Sequence, residues 1–163
     1  MFRESMMQRA IALSAQALAT PGTEPFAALV VKDGVVVGEG LNHSVAHFDP
    51  TSHGEVEAIR DACRTLRSVS LRGCELYSSC EPCALCVAAM AIAGIGKLYY
   101  AASLGESAQA LQRVPAAQRH PIDVDLLRAE AGSPAALRRL PSEQQMSAAA
   151  VKVLQEWAAA RSE

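Results

Sequence analysis

The chain has 163 residues, half of them hydrophobic, and its 15 basic and 17 acidic residues give a net charge of -2. This length suits one domain with a sizeable buried core and leaves little room for a second domain. The near-neutral charge lacks the basic excess that is typical of proteins that bind nucleic acids or anionic lipids. An extended polyanion is therefore not the expected partner.

The longest apolar stretch near the N-terminus, residues 10–19, predicts neither a membrane span nor an export signal. It is too short to cross a bilayer, Ser14 and Gln16 interrupt it, and Glu4 lies where a basic flank would be expected. Five cysteines, an odd number, then favour reduced thiols over a disulfide framework. We therefore expect a cytoplasmic protein that has no membrane partner.

The first predicted element is an amphipathic helix that ends at Pro21-Gly22. Its apolar residues follow a 3.6-residue period: Phe2, Met6, Ala10, Leu13 and Ala17. Two valine-rich runs come next, joined by Asp33-Gly34, a pair that favours a tight hairpin turn. The pattern predicts strands over 27–32 and 35–41, followed by a polar loop over 42–51.

The middle of the chain alternates between helices and strands. A helix is predicted after Ser52 because its apolar residues are spaced as one buried face: Val56, Ile59, Cys63 and Leu66. A strand over 75–78, a helix over 83–93 and a strand in the stretch GKLYYAAS follow. This order is typical of an α/β fold in which the sheet has parallel members and helices cover its faces.

The C-terminal third is rich in alanine and interrupted by four prolines: Pro115, Pro121, Pro134 and Pro141. Over 122–126, apolar residues alternate with aspartates, which predicts a fifth strand with one solvated face. Ser142 and Gln145 have the spacing of a capping box and predict the start of the last helix.

The stretch SSCEPCALC, residues 78–86, contains three cysteines. Cys83 and Cys86 form a C-x-x-C pair at the start of a predicted helix, whose N-terminus favours thiolates, the form that binds metal. Cys80 lies before Glu81-Pro82, at the end of the preceding strand. A C-x-x-C pair alone is compatible with zinc binding, redox exchange or coincidence.

A second candidate group, His53-Gly54-Glu55, begins another predicted helix upstream of the cysteines. Two helix starts side by side at one sheet edge would present an imidazole and two thiolates to a single ion. Three protein ligands leave a fourth position for water, which is the arrangement of a catalytic zinc site.

With both half-motifs in this order, the sequence resembles the zinc-dependent cytidine deaminase superfamily, whose signature is H-x-E followed by P-C-x-x-C. The strings DPTSHGEVEAIR and SCEPCALC are most similar to the branch of guanine deaminases and tRNA adenosine deaminases. The resemblance implies a three-layer α/β/α sandwich with a central mixed five-stranded sheet. It also implies one deaminase domain over 1–163, with a catalytic core over 26–102 and a helical C-terminal segment over 103–163, in a homodimer.

The resemblance further implies roles for the motif residues. His53, Cys83 and Cys86 bind one zinc ion per subunit, with a water or hydroxide as the fourth ligand. Glu55 is not a ligand; it takes the water proton, passes it to a ring nitrogen and later protonates the departing ammonia.

Substrate contacts are implied at three further positions. Asn42 matches the substrate-binding asparagine of the family, since its amide both donates and accepts hydrogen bonds. The backbone amide of Gly54 is expected near the substrate, and Phe26 either packs in the core or stacks on the base. Cys80 is expected to pack at the strand end; the alternatives are that it replaces a metal ligand or forms a switchable pair with Cys83.

One departure from the guanine deaminase pattern leaves the substrate open. Where those enzymes have acidic residues after the fourth strand, an ungapped register gives Gln112, Arg113 and Val114. Candidate replacements for the missing carboxylate are Glu106, Asp123 and Asp125.

The expected function is zinc-dependent hydrolytic deamination of a small nucleobase or related heterocycle, of guanine, cytosine or isocytosine type. A tRNA adenosine deaminase is the alternative within the same chemistry, although the region from Leu137 onwards carries little basic excess to hold a polyanion. Two other classes stay open. One is a non-enzymatic module in which zinc joins two helices and Glu55 is only a helix cap; the other is a thiol redox protein that uses Cys83 and Cys86.

Overall fold

A computed structural model describes residues 1–161 of the chain. These residues form two compact units, one from Met1 to Leu127 and the other starting at Arg128. No helix within residues 1–161 combines the length and the apolar character that a bilayer crossing requires.

The first unit contains a four-stranded mixed sheet in the order β2-β1-β3-β4. Its strands are β1 (Glu24–Lys32), β2 (Val35–Asn42), β3 (Cys74–Cys80) and β4 (Lys97–Ala102). β1 pairs antiparallel with both β2 and β3, whereas β4 runs parallel to β3. The predicted hairpin between β1 and β2 is confirmed, and Asp33 and Gly34 have the positive φ values, 51° and 82°, that tight hairpin turns require.

Six α-helices accompany the sheet in the described part of the chain. They are α1 (Glu4–Ser14), α2 (Gly54–Leu66), α3 (Ala84–Ala93), α4 (Leu104–Leu111), α5 (Val124–Gly132) and α6 (Ser147–Ala159). The helices predicted at the N-terminus, after Ser52 and after Cys83 are therefore confirmed.

Helices cover both faces of the sheet, so β1 is buried on both sides. Ala28 and Val30 belong to a core cluster that includes residues of α2 and α3, whereas Leu29 and Val31 belong to a cluster that includes residues of α1. Successive residues of a strand point to opposite faces, and β1 therefore joins the two cores. This arrangement confirms the predicted α/β fold with helices on both faces.

The predicted fifth strand over 122–126 is wrong, because α5 begins at Val124 and the sheet of the described residues has four strands. The Asp123 carboxylate accepts a hydrogen bond from the Leu126 backbone N–H at 2.9 Å, which is the usual contact of a helix N-cap. The apolar residues that suggested a strand instead serve a helix, and Leu127 packs against the cluster of Val56 and Cys86.

The last helix begins at Ser147 rather than at Ser142. The Ser142 hydroxyl donates to the Leu140 carbonyl, and the Gln145 amide donates to the Glu143 carboxylate. The predicted capping box does not form because both of its side chains are engaged locally.

Two glycines of β2 allow α2 to approach the sheet closely. A Cβ atom at Gly38 would lie 2.5 Å from the Ala58 carbonyl oxygen, and one at Gly40 would overlap the Gly54 carbonyl and the Ala58 amide. This close packing holds the start of α2, where the H-x-E motif lies, against the sheet.

Candidate active site

The two half-motifs lie at the starts of α2 and α3. His53 and Cys83 are the residues immediately before these helices, both with extended backbone, ψ 151° and 173°. Neither side chain makes a capping hydrogen bond to its own helix. Their imidazole and thiol groups can therefore face each other, with Cys86 in the first turn of α3.

The three side chains come together at the distances that a tetrahedral zinc site requires. His53 Nδ1 lies 3.6 Å from Cys83 Sγ and 3.4 Å from Cys86 Sγ, and the two sulfurs are 3.7 Å apart. Zinc–sulfur bonds of about 2.3 Å and zinc–nitrogen bonds of about 2.1 Å give tetrahedral edges of about 3.8 Å between sulfurs and about 3.6 Å between sulfur and nitrogen. The donor set and its spacing therefore fit zinc. Within residues 1–161, no other trio of His, Cys, Asp or Glu side chains could share an ion.

Hydrogen bonds within the trio prepare one thiolate. The bond between the two cysteines, followed by the contact with His53, lowers the pKa of Cys83 to about 4. The same sulfur–sulfur bond raises the pKa of Cys86, and the bond to Cys83 raises the pKa of His53. Cys83 is therefore the thiol that ionises first, and a thiolate is the form that zinc binds.

Glu55 lies directly beside the trio and is only 6% exposed. Its carboxylate accepts a hydrogen bond from Ser78 Oγ at 3.2 Å and from Cys86 Sγ at 3.3 Å. Burial raises the pKa of Glu55 above that of an ordinary glutamate. A raised pKa favours the protonated carboxyl, which is the form that can donate a proton to a ligand.

The capping role considered for Glu55 does not occur. The Ser52 hydroxyl donates to the Glu57 carboxylate at 2.8 Å, and no side chain caps the start of α2. The Glu55 side chain instead lines a cavity.

This cavity, about 590 Å³ including its open mouth, contacts the trio through His53 and Cys83. Phe26, Asn42 and Glu55 line the same cavity.

Asn42 is held in one orientation. Its side-chain oxygen accepts a hydrogen bond from the Ser44 backbone N–H at 2.9 Å, and the residue is 4% exposed. Because the oxygen is engaged, the amide nitrogen is the atom left to donate to a ligand.

Gly54 lies beside the cavity without lining it. A Cβ atom at this position would be 2.5 Å from the Phe26 carbonyl oxygen. The absence of a side chain at Gly54 therefore lets α2 start against the backbone of β1.

Cys80 lies in the cavity wall, outside the trio. It is 6% exposed, its sulfur is 3.9 Å from the Ser103 carbonyl oxygen, and burial raises the pKa of its thiol. A buried, neutral thiol is typical of a packing residue.

Sequence reasoning missed four polar or charged side chains that also line the cavity: Glu24, Glu81, Arg119 and His120. Glu81 is part of the SCEPCALC string and could have been suspected from its neighbours. Arg119 and His120 lie in an irregular segment whose sequence shows no period. The proposed replacement carboxylates do not line this cavity; Glu106 instead lines a different one and closes a capping box with Ser103.

Comparison with known proteins relates this chain to zinc-binding deaminases. Residues 1–102 match the family model of the cytidine and deoxycytidylate deaminase zinc-binding region. The guanine deaminase of Bacillus subtilis (strain 168) is 40% identical over 110 residues, which cover 68% of this chain and 70% of the relative. A tRNA-specific adenosine deaminase of Aquifex aeolicus (strain VF5) is 40% identical over 81 residues, which cover 50% of this chain and 54% of that relative.

A solved structure extends the likeness to almost the whole chain. The X-ray structure of the Bacillus subtilis guanine deaminase superposes with a TM-score of 0.81 at 34% identity, covering 96% of this chain and 94% of that one.

Proposed function

This chain belongs to the zinc-binding cytidine and deoxycytidylate deaminase family, and from that premise we propose that it acts on a free amino-substituted nucleobase of guanine type. As a zinc-dependent deaminase it is a hydrolase that replaces an amino group on the heterocycle by oxygen and releases ammonia. The observation that carries the proposal is the buried Glu55 carboxyl beside the trio of His53, Cys83 and Cys86, facing one cavity.

In the proposed mechanism, His53, Cys83 and Cys86 hold one zinc ion per subunit. When bound, zinc supplies the positive charge that makes water acidic enough to ionise near neutral pH. Glu55 would accept a proton from the attacking water and transfer it to a ring nitrogen. It would then take a second proton from the new hydroxyl group on the ring carbon and give it to the amino group, which leaves as ammonia. Its raised pKa suits this role, because the carboxyl must hold a proton between these steps.

The substrate is positioned by the walls of the cavity. The amide nitrogen of Asn42 donates to an acceptor of the base, and the half-buried ring of Phe26 stacks on the heterocycle. The contact expected from the Gly54 backbone amide stays a prediction.

A tRNA adenosine deaminase is the second candidate, because curated relatives with that activity match this chain. The free base is favoured by charge. The chain has a net charge of -2, and the Glu24 and Glu81 carboxylates in the cavity would repel the phosphates of a polynucleotide.

The cellular location and the assembly state are further proposals. All five cysteines are free thiols, which supports a cytoplasmic location.

The side chains of Val87 and Ile92 on α3, 50% and 87% exposed, support a homodimer that buries this face. Light scattering at micromolar protein would then give twice the chain mass of 17.2 kDa, and the monomer mass would refute the dimer. A single deaminase domain over 1–163 with a core over 26–102 stays a prediction.

Ammonia release from a panel of heterocycles tests the activity. Zinc-loaded protein is incubated with guanine, cytosine, isocytosine and an adenosine-containing tRNA, and we expect release from guanine. Glu55→Gln should lower kcat/KM by about 10²- to 10⁴-fold while zinc content stays the same. Glu57→Gln is the matched control, because Glu57 lies on the same helix but contacts Ser52 and Arg60. Silence of the wild-type protein on every member of the panel would contradict the proposal.

A further inference from the structure

Arg119 lies in the wall of the cavity, and the mechanism above gives it no role. It follows a short 3-10 turn, Ala116–Gln118, and lines the same space as Asn42 and Glu55. Its Nε atom is buried, and within residues 1–161 no hydrogen-bond acceptor lies within reach of that atom. Buried donors without a partner are rare in native proteins, and a small turn of the guanidinium towards an acceptor in the cavity would remove this unsatisfied donor.

The geometry of a guanidinium restricts what that ligand can be. Its N–H groups form a rigid planar fork that matches two acceptor atoms side by side. A substrate that meets Arg119 must therefore present two neighbouring acceptors at the edge that faces this wall.

The charges around Arg119 indicate that these acceptors are neutral. Glu24 and Glu81 line the same cavity, and their carboxylates accept backbone hydrogen bonds from His120 at 2.6 Å and Leu104 at 3.0 Å. With two carboxylates and one guanidinium in its lining, the cavity would repel a phosphate or carboxylate substituent on the ligand. A carbonyl oxygen next to a ring nitrogen meets the requirement without adding negative charge.

We propose that Arg119 is a specificity-determining residue that donates to an oxo oxygen and an adjacent ring nitrogen of the substrate, the O6–N7 pair in guanine. This inference rests on the proposed function. An arginine fork that reads O6 and N7 is a common contact to guanine in other settings. In guanine this pair lies across the ring from the C2 amine, so the amine can face Glu55 while the acceptors face Arg119.

The specificity test compares three purines that share the C2 amine: guanine, 2-aminopurine, which lacks the oxo group, and 2,6-diaminopurine, which has a donor in its place. We measure kcat/KM for the wild type, Arg119→Met, which removes the fork, and Arg119→Lys, which keeps the charge only. The preference for guanine over the other two should fall by roughly 10- to 100-fold in Arg119→Met. In Arg119→Lys the preference for guanine should be intermediate between those of the wild type and Arg119→Met. Arg113→Met is the matched control, because Arg113 is exposed and outside the cavity. The preference of this variant for guanine over the other two purines should equal that of the wild type.

A binding measurement separates recognition from chemistry. Equilibrium dialysis on zinc-loaded Glu55→Gln protein should show that adding Arg119→Met weakens guanine binding by the same roughly 10- to 100-fold and weakens 2-aminopurine binding much less, because that purine keeps N7 but lacks the oxo oxygen. Zinc content and the circular dichroism spectrum should not change. If Arg119→Met weakens both purines equally, or neither, the inference is overturned. Tighter binding of guanosine monophosphate than of guanine, lost in Arg119→Met, would overturn the assignment to neutral acceptors.

The two proposals fail in different ways. Guanine binding that depends on Arg119, in a wild-type protein that releases no ammonia, would contradict the proposed function and keep this inference. Guanine deamination with an unchanged purine preference in Arg119→Met would support the proposed function and contradict the role of Arg119.

Discussion

His53 and Cys83 occupy equivalent places in the chain, each directly before a helix. A residue at such a position has extended backbone, so its side chain can point away from the helix axis and towards a neighbouring helix start. Two of these positions, together with Cys86 one turn into α3, are sufficient to assemble the metal trio. The helix starts also favour the thiolate forms that the metal requires.

Removal of one ligand should release the metal, whereas removal of a nearby thiol should not. We expect Cys83→Ser to lose bound zinc and all measurable ammonia release, because the trio then lacks its most acidic thiol. Cys80→Ser should retain one zinc ion per subunit, since Cys80 lies in the cavity wall outside the trio. Zinc content measured by atomic emission checks both variants. Zinc retained in Cys83→Ser, or lost in Cys80→Ser, would contradict the ligand assignment.

That His53, Cys83 and Cys86 come together could be predicted from the sequence because their spacing is a local pattern at two helix starts. Arg119 could not, since its place in the cavity depends on the path of the irregular segment after α4 and on no short-range period. The carboxylates proposed as substrate readers, Glu106, Asp123 and Asp125, were chosen by proximity in sequence. Asp123 is used instead to cap α5 and Glu106 to cap α4, which removes both from the site.

At the scale of elements, the strands with strong β-branched content were predicted well, and the weak alternation over 122–126 was not. The hairpin signal of Asp33-Gly34 and the valine runs agree with burial on both faces of β1. The segment over 122–126 instead starts a helix, because Asp123 caps it and Leu127 packs against the cluster of Val56 and Cys86. These interactions outweigh the β preference of three alternating apolar residues. Alternation this short does not distinguish a strand from the first turn of a helix.

The contact between β2 and α2 depends on the missing side chain at Gly40. Gly40→Ala should lower the free energy of unfolding by about 1–3 kcal/mol or more, because its Cβ would overlap the backbone of Gly54 and Ala58. Since that backbone leads directly from His53, we also expect weaker zinc binding. Urea unfolding of the zinc-loaded protein and a zinc titration measure the two effects.

Gly132→Ala provides the control for this change. Gly132 has no atom within 4 Å of an added Cβ, so the stability of the variant should stay within about 0.5 kcal/mol of the wild type. Equal destabilisation by the two substitutions would show that close packing at Gly40 is not the cause.

At the scale of the whole molecule, the zinc site joins two helix starts that are far apart in sequence. A ligand that binds only the folded chain stabilises it, by about 2.7 kcal/mol when its free concentration is 100 times Kd. For a chain of 163 residues this corresponds to a rise in Tm of about 5–10 °C. Chelation followed by readdition of zinc should therefore lower and then restore the Tm by this amount.

The His53→Ala variant is the control for the thermal measurement. It lacks one of the three ligands, so its Tm should respond to zinc much less than that of the wild type. An equal response in both proteins would place the stabilising ion elsewhere.

The side chains proposed to carry out the chemistry and Arg119 come from different stretches of the polypeptide. His53, Glu55 and Cys83 lie within the region that matches the family model, residues 1–102, whereas Arg119 lies beyond it. Mutation in the later stretch can therefore alter which base is accepted without touching the groups that break the carbon–nitrogen bond. Substrate specificity and catalytic chemistry can therefore change independently. Residues 119–124 are the place to begin when engineering this scaffold towards a new heterocycle.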